Sequence, residues 1–367
     1  MSDHNGGEQR QEFKPGDASN KVRITLRKWF GVTILYTSFF VAAPHLWKRM
    51  ESFEPGPDYR MPYDLSNDYW LYARYVDLKA SQCDTLLFGD SVIWGQYVTP
   101  RQTLSHYLNK LAGQESFANL GLDGAHPAAL SGLVKYYAGS ARGKNVIVEC
   151  NFLWMSSARL DLEDHEEFRF NHPGLVPQFI PCIPCYKADY SSRIGIVVEQ
   201  NFPFSSWTSH LQQAYFNQID IPSWTLEHPY ANPLGQITLE LPRLDDTLRH
   251  EPISWTARNI KKQDFSWVDP EKSLQLQFFQ KTVELLQRRA NHVFVLVGPF
   301  NEHMLQEKSK VSYLKLKNAV EAWLQEGQIP YLAPEPLPSE LYADASHPLA
   351  EGYELLAGQV FAALSRK

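Results

Sequence analysis

Ser91 stands in the stretch LLFGDSVIWG, Leu86 to Gly95, directly behind an apolar run and a Gly-Asp pair. A serine hydroxyl becomes a nucleophile only when a base lies within hydrogen-bond reach and a third group orients that base. Near the other end of the chain, YADASHPLAEGY carries Asp344 and His347 three positions apart, just ahead of a helix-like segment. From that single turn, His347 would take the Ser91 proton while Asp344 orients the imidazole and stabilises its charged form. The oxyanion formed on attack needs fixed donors, each worth about 3 kcal/mol. Gly124 in NLGLDG can bring a bare backbone N–H close, and Asn151 at the end of NVIVECN offers a side-chain amide. Each signal also has a plainer reading. Asp90 or Ser91 could simply cap a helix, and Asp344 could close an Asx turn beside a surface histidine. Their joint order, each at the end of an expected strand, favours the nucleophilic site, with Asp90 as a structural residue. His126, Glu302 and His303 fall on the same edge, either as substrate contacts or as solvated loop residues.

The elements that must position these groups follow from the apolar runs. Residues 83–90, 116–121, 145–150, 292–298 and 329–334 are short, mostly rich in β-branched residues, and bounded by Gly, Asp, Asn or Pro, as strands are. Between them RQTLSHYLNKLAG, PAALSGLVKYYAG, EKSLQLQFFQKTVELLQRR, VSYLKLKNAVEAWLQ and the C-terminal PLAEGYELLAGQVFAALSRK have helical spacing. Strands alternating with helices predict an α/β fold, a three-layer α/β/α sandwich of about five parallel strands, flavodoxin-like. This domain is expected over 81–367, with an insertion at about 152–270 dense in Trp, Pro, Ser and His. An insertion of that length is usually functional or a subdomain of its own, and it should hang over the carboxyl ends of the strands, where open α/β sheets bind ligands. Its acidic stretch from Asp161 to Glu167 reads as a solvated face rather than a metal site.

The N-terminal region sets the compartment. Residues 1–28 read as a polar cytoplasmic tail ending in Lys21, Arg23, Arg27 and Lys28, and 29–47 (WFGVTILYTSFFVAAPHLW) contains no Asp, Glu, Lys or Arg. That length with tryptophan at both ends suits a single transmembrane anchor, and the basic residues before it place the N-terminus inside. Val41-Ala42-Ala43 would also serve a cleaved signal peptide, but the preceding polar stretch is long for one. Both readings put the body outside the cytoplasm. Residues 48–80 read as a linker and helical stalk. A net charge of −6 with no basic stripe argues against nucleic acid as a partner. Of the four cysteines, Cys83 and Cys150 read as small buried residues. Cys182 and Cys185 lie in PCIPC, whose prolines point to a constrained loop closed by a disulfide in an oxidising space. Zinc there would need two more ligands, and no metal or cofactor is expected.

The order Gly-Asp-Ser, Gly, Asn, Asp-x-x-His resembles the SGNH (GDSL-type) hydrolase superfamily. DTLLFGDSVIWG matches its first block, N-x-G-x-x-G its second and D-A-S-H its last. The resemblance implies a triad of Ser91, Asp344 and His347, with oxyanion donors at Ser91, Gly124 and Asn151. The third block departs from the pattern, since G-x-N-D is usual there and this chain has E-C-N-F-L-W. The likeness covers about 81–150 and 285–367 and leaves the insertion and the anchor unexplained. The anchored, extracytoplasmic arrangement is similar to the SGNH-like proteins that accompany polytopic membrane O-acyltransferases in polysaccharide O-acetylation and teichoic acid D-alanylation. It implies a serine acyltransferase at the inner membrane that moves an acyl group, most simply acetyl, onto an envelope polymer or exopolysaccharide. By its composition, the Trp-rich insertion would suit a glycan acceptor stacked on aromatics. An esterase using the same triad, and a non-catalytic assembly or glycan-binding subunit, stay open beside it.

Overall fold

The computed structural model describes residues 25–241 and 247–365. Most of the expected polar tail therefore lies outside the described residues. In chain order the helices are α1 (Leu26–Met50), α2 (Tyr69–Gln82), α3 (Ser91–Trp94), α4 (Leu104–Ala112), α5 (Pro127–Tyr137), α6 (Tyr190–Asn201), α7 (Pro203–Tyr215), α8 (Ile221–Glu227), α9 (Leu274–Arg288), α10 (Glu307–Glu326) and α11 (Ala350–Leu364). The strands are β1 (Thr85–Phe88), β2 (Phe117–Asn119), β3 (Asn145–Cys150), β4 (His292–Val297) and β5 (Tyr331–Leu332). They form one all-parallel sheet in the order β2-β1-β3-β4-β5.

A strand sends alternate side chains to opposite faces, and in a parallel sheet both faces must be covered. Leu86, Phe88, Val146, Val148, Val293 and Val295 enter the larger core, under α2, α5, α9 and α10. Leu87, Ile147, Phe294 and Leu296 point the other way and pack with Val92, Leu104, Leu108, Tyr353 and Val360 from α3, α4 and α11. The expected α/β sandwich is thus formed, and its strand order reverses at β1, between β2 and β3. The carboxyl ends of β1 and β3 flank that reversal, the place where open sheets of this kind leave a crevice.

Helix α1 is long and apolar enough to cross a membrane. It extends beyond the apolar segment at both ends, taking in Arg27 and Lys28 at the start and Lys48 and Arg49 at the finish. The stretch after it is packed rather than loose, with Tyr59, Arg60, Met61 and Leu65 buried. A buried polar cluster fastens α1 to the body. Glu51, just past α1, accepts from Trp47 (2.9 Å), Tyr215 (2.6 Å) and His210 Nε2 (2.8 Å) and pairs with Arg74. The other nitrogen of His210 lies 2.6 Å from Asp68, the N-cap of α2. Burial disfavours charge on this imidazole, but Asp68 and Glu51 outweigh it and raise its pKa to about 9.

The insertion divides in two. Its flanks reach the carboxyl edge of the sheet, through Asn171 beside Gly124 and His250 beside Tyr97. Its centre does not hang over that edge: α7 packs on α1 and α2, and α6 packs on α7. The reason is apolar complementarity, with Trp207, Leu211, Tyr215, Phe216 and Trp224 making a separate core with Trp70. Those tryptophans are therefore interior, as is Trp255, and they form no open stacking surface. Asp161, expected on a solvated face, is also buried. It caps α9, accepting from Ser273 Oγ, Leu274 N (2.8 Å) and Gln275 N (3.3 Å).

Candidate active site

Gly89-Asp90-Ser91 turns sharply from β1 into the four-residue helix α3. So short a helix has little stability of its own, and its surroundings hold it instead. At the start, Asp90 Oδ1 accepts from Val92 N (2.8 Å). At the end, Arg60 Nη1 donates to the carbonyls of Trp94 (2.9 Å) and Gly95, with its guanidinium 3.9 Å from the Trp94 ring centroid. Tyr353 of α11 donates to the Val92 carbonyl (2.6 Å). Gly121, in the loop after β2, lies so close to Ile93 and Trp94 that a Cβ there would collide with their backbone. Ser91 is thus delivered by a clamped turn.

The base arrives from the loop before α11. His347 Nε2 lies 2.8 Å from Ser91 Oγ, and its Nδ1 lies 2.8 and 2.9 Å from the two carboxyl oxygens of Asp344. With Nδ1–H donating to Asp344, Nε2 is left to accept the serine proton. Asp344 also accepts from the N–H groups of Ser346 and His347, both 3.0 Å, and these with the imidazole hold its pKa well below the usual carboxylate range despite burial. The His347 imidazole is pushed up: burial opposes the charge, but the Asp344 carboxylate prevails, with Asp90 and Asp123 adding to it. Asn301 braces the loop, donating its Nδ2 to the Asp344 carbonyl (3.0 Å) and its N–H to that of Ala345 (2.8 Å). Tyr97 covers the imidazole, ring centroids 5.5 Å apart.

The three donors expected from the sequence can be followed one by one. No acceptor among the described residues takes the Ser91 or Gly124 N–H. Gly124 has φ +70°, and a Cβ on it would strike Asn171 Nδ2, so the position requires glycine on both counts. Asn151, at the end of β3, gives one Nδ2 hydrogen to Asp90 Oδ2 (2.8 Å) while its Oδ1 accepts from Leu153 N (3.0 Å). The second Nδ2 hydrogen has no acceptor among the described residues. Beside the site, a cavity of about 360 Å³ is lined by Asp123 and Asn171 together with Tyr63, Asp64, Asn67 and Gln218. Burial raises the pKa of Asp123, with His347 pulling against it.

Three of the sequence-derived candidates are turned elsewhere. His126 is fully buried as the N-cap of α5, its ring held by Ala129 N (3.4 Å), Gln275 (3.2 Å) and the Asn171 carbonyl (3.2 Å). Burial takes its pKa down to about 3, so it is a neutral structural residue. Glu302 accepts from Tyr313 (2.9 Å) and Lys317 (3.1 Å), and His303 bonds the Leu337 carbonyl (3.0 Å). Their neighbour Asn301 is the residue of that loop that reaches the triad. The Cys182–Cys185 bridge is not formed: all four cysteines are free thiols. Cys185 is buried with Val176, Ile183 and Phe278 while Cys182 faces solvent. Cys83 and Cys150 are buried as expected.

Two residues that sequence reasoning passed over, Trp154 and the buried Glu149, complete the site. Trp154 Nε1 donates to Asp90 Oδ2 beside Asn151. Glu149 Oε2 accepts from Asp90 N (3.2 Å), and its other oxygen, Oε1, is buried without a hydrogen-bond partner among the described residues. Burial and the adjacent Asp90 carboxylate raise the Glu149 pKa well above normal, which favours the neutral form of this acid. No protein-family model matches the chain, and no curated protein matches it significantly.

Proposed function

We propose that this chain is a membrane-anchored, SGNH-like serine acyltransferase that acts outside the cytoplasm and places an acyl group, most simply acetyl, on a hydroxyl of an envelope or exported polysaccharide. The observation that carries the reading is the unbroken chain Ser91–His347–Asp344, with hydrogen bonds of 2.8 Å at each link. Ser91 Oγ attacks the carbonyl carbon of an acyl ester or thioester donor as its proton passes to His347 Nε2. Asp344 stabilises the imidazolium, and the Ser91 and Gly124 N–H groups with Asn151 Nδ2 meet the oxyanion. The donor's leaving group departs with the His347 proton, leaving an acyl-serine. An acceptor hydroxyl then loses its proton to His347 and attacks, and the acyl–Oγ bond breaks with return of the proton to Ser91. A sugar acceptor is supported by the adjoining cavity, whose carboxyl, amide and phenol groups match a polyol. That lining replaces the tryptophan platform expected from composition.

The test is release of p-nitrophenol from its acetate by the purified full-length chain, with and without an oligosaccharide acceptor. Acyl-sugar formed in a Ser91-dependent reaction supports transfer. Release to water alone, unaltered by sugar, makes the chain an esterase. Absence of any Ser91-dependent turnover or labelling refutes both.

A further inference from the structure

We propose that the tip of the α6–α7 hairpin is immersed in the outer leaflet of the membrane, so that the body rests on the lipid surface through the insertion. The inference rests on reading α1 as the membrane span. Phe204, at the start of α7, packs on Phe39 and Phe40 of α1, with ring centroids 5.8 and 4.3 Å away. Trp47, the last aromatic of the apolar segment, packs on Trp207 at 5.6 Å. At about 1.5 Å per residue, Phe39 and Phe40 lie roughly 10–12 Å below Trp47 along the helix. A bilayer core is about 30 Å thick, so side chains touching both phenylalanines sit at acyl-chain depth if Trp47 marks the interface.

The surface around that contact fits lipid. Tyr190, Ile194, Val198 and Phe202 recur every four residues along α6 and just beyond it, which puts them on one face, and all are exposed, Phe202 at 60% and Ile194 at 56%. Such a stripe facing water is unusual in a folded chain. Between residues 194 and 209 the only Asp, Glu, Lys or Arg is Glu199, and it lines the cavity shared with Lys48 and Tyr137. The exposed apolar face is therefore continuous with the span through Phe204. It is also uncharged, as a face in contact with acyl chains must be. The body is tied to α1 by the Glu51–His210–Asp68 cluster, which fixes the hairpin's depth relative to the span.

The experiment places an environment-sensitive fluorophore at single cysteines in the full chain, in a Cys182→Ser background because the other native thiols are buried. The sites are Phe202→Cys and Ile194→Cys on the stripe, Leu35→Cys on α1, and the exposed Val311→Cys on α10. The protein is reconstituted in phosphatidylcholine–phosphatidylglycerol vesicles, with doxyl-labelled lipid or aqueous iodide as quencher. Labels at 202 and 35 should lose most of their emission to doxyl lipid and resist iodide, the label at 194 should do so with a shallower doxyl position, and the label at 311 should behave oppositely. Iodide quenching at 202 and 194, with 35 still in lipid, overturns this inference alone. Protection of 202 and 194 from both quenchers means that a protein covers the stripe, and also overturns it. Iodide quenching at 35 removes the membrane span on which the inference rests.

Discussion

Replacing Glu149 by Gln tests whether a neutral acid underlies the nucleophile. The carboxyl is enclosed, its Oε2 accepts the Asp90 N–H and its Oε1 has no hydrogen-bond partner among the described residues. Glutamine has the same shape, keeps an acceptor for that N–H and carries no charge. Unfolding should release the difference in proton affinity. Glu149 binds its proton more tightly folded than unfolded, where the ordinary value is 4.5. Its stabilising contribution is therefore complete below that value and is lost as pH rises toward the folded pKa. Above 4.5 the unfolded chain gives up this proton while the folded chain holds it more tightly. One proton is worth about 1.4 kcal/mol per pH unit, so above 4.5 the wild type should lose stability relative to E149Q by up to that much for each unit the pH rises toward the folded pKa. The assay is denaturant unfolding of the detergent-solubilised full chain at several pH values, read as the difference in stability between the two proteins. Because His210 and other shifted groups are common to both, their contributions cancel when the sites are independent. Parallel pH dependences for wild type and E149Q would refute a protonated Glu149. Ser91-dependent labelling should persist in E149Q.

Ser91→Ala should abolish labelling by a fluorophosphonate probe while leaving the unfolding midpoint nearly unchanged, and undiminished labelling would exclude Ser91 as nucleophile. Because Asp344 raises the His347 pKa above 6.5, the acid limb of kcat/KM should lie above that value in the wild type. Asp344→Asn should lower the limb and cut turnover by about 10⁴-fold; an unmoved limb in pH-rate profiles would detach Asp344 from the base. Asn151→Ala should slow turnover by about 10²–10³-fold if its second Nδ2 hydrogen meets the oxyanion, measured with little change in KM. His210→Gln breaks a buried pair on each side of the ring and should cost about 3–5 kcal/mol. It should also remove the loss of stability expected as pH rises from 6.5 to about 9, since the raised pKa makes the imidazolium the stabilising form.

The sheet was legible because parallel strands covered on both faces leave a strong trace: 145–150 and 292–297 are mostly apolar, and both form strands at those residues. The pair Asp344 and His347 was legible because its spacing is local, and a single turn suffices to join them. Their meeting with Ser91 depends on strand order, which the sequence constrains only through the alternation of strands and helices. The insertion was misread for a related reason. Trp207 and Trp224 go into a core with Trp47 of α1 and Trp70 of α2, partners distant in sequence, and composition alone does not distinguish an aromatic that stacks on ligand from one that packs on a helix. Likewise His126 and Glu302 sit where chain order places site residues, yet their side chains satisfy local donors and acceptors instead.

Glu149 is the instructive omission, because its signal was present. A strand buried on both faces should carry no charge, and NVIVEC contains one acid in an otherwise apolar run. Such a residue must be paired, neutralised or functional. The structure shows why it is tolerated: Gly89 has no Cβ where Glu149 Oε2 passes, and the acid supports the Asp90 N–H. Asp90 in turn gathers Val92 N, Asn151 Nδ2 and Trp154 Nε1. One buried acid thus underpins the turn that presents Ser91, and through Asp90 it fixes the amide expected to meet the oxyanion. The orientation of Asn151 is likewise set by Asp90, which accepts from its Nδ2, and by Leu153 N, which donates to its Oδ1.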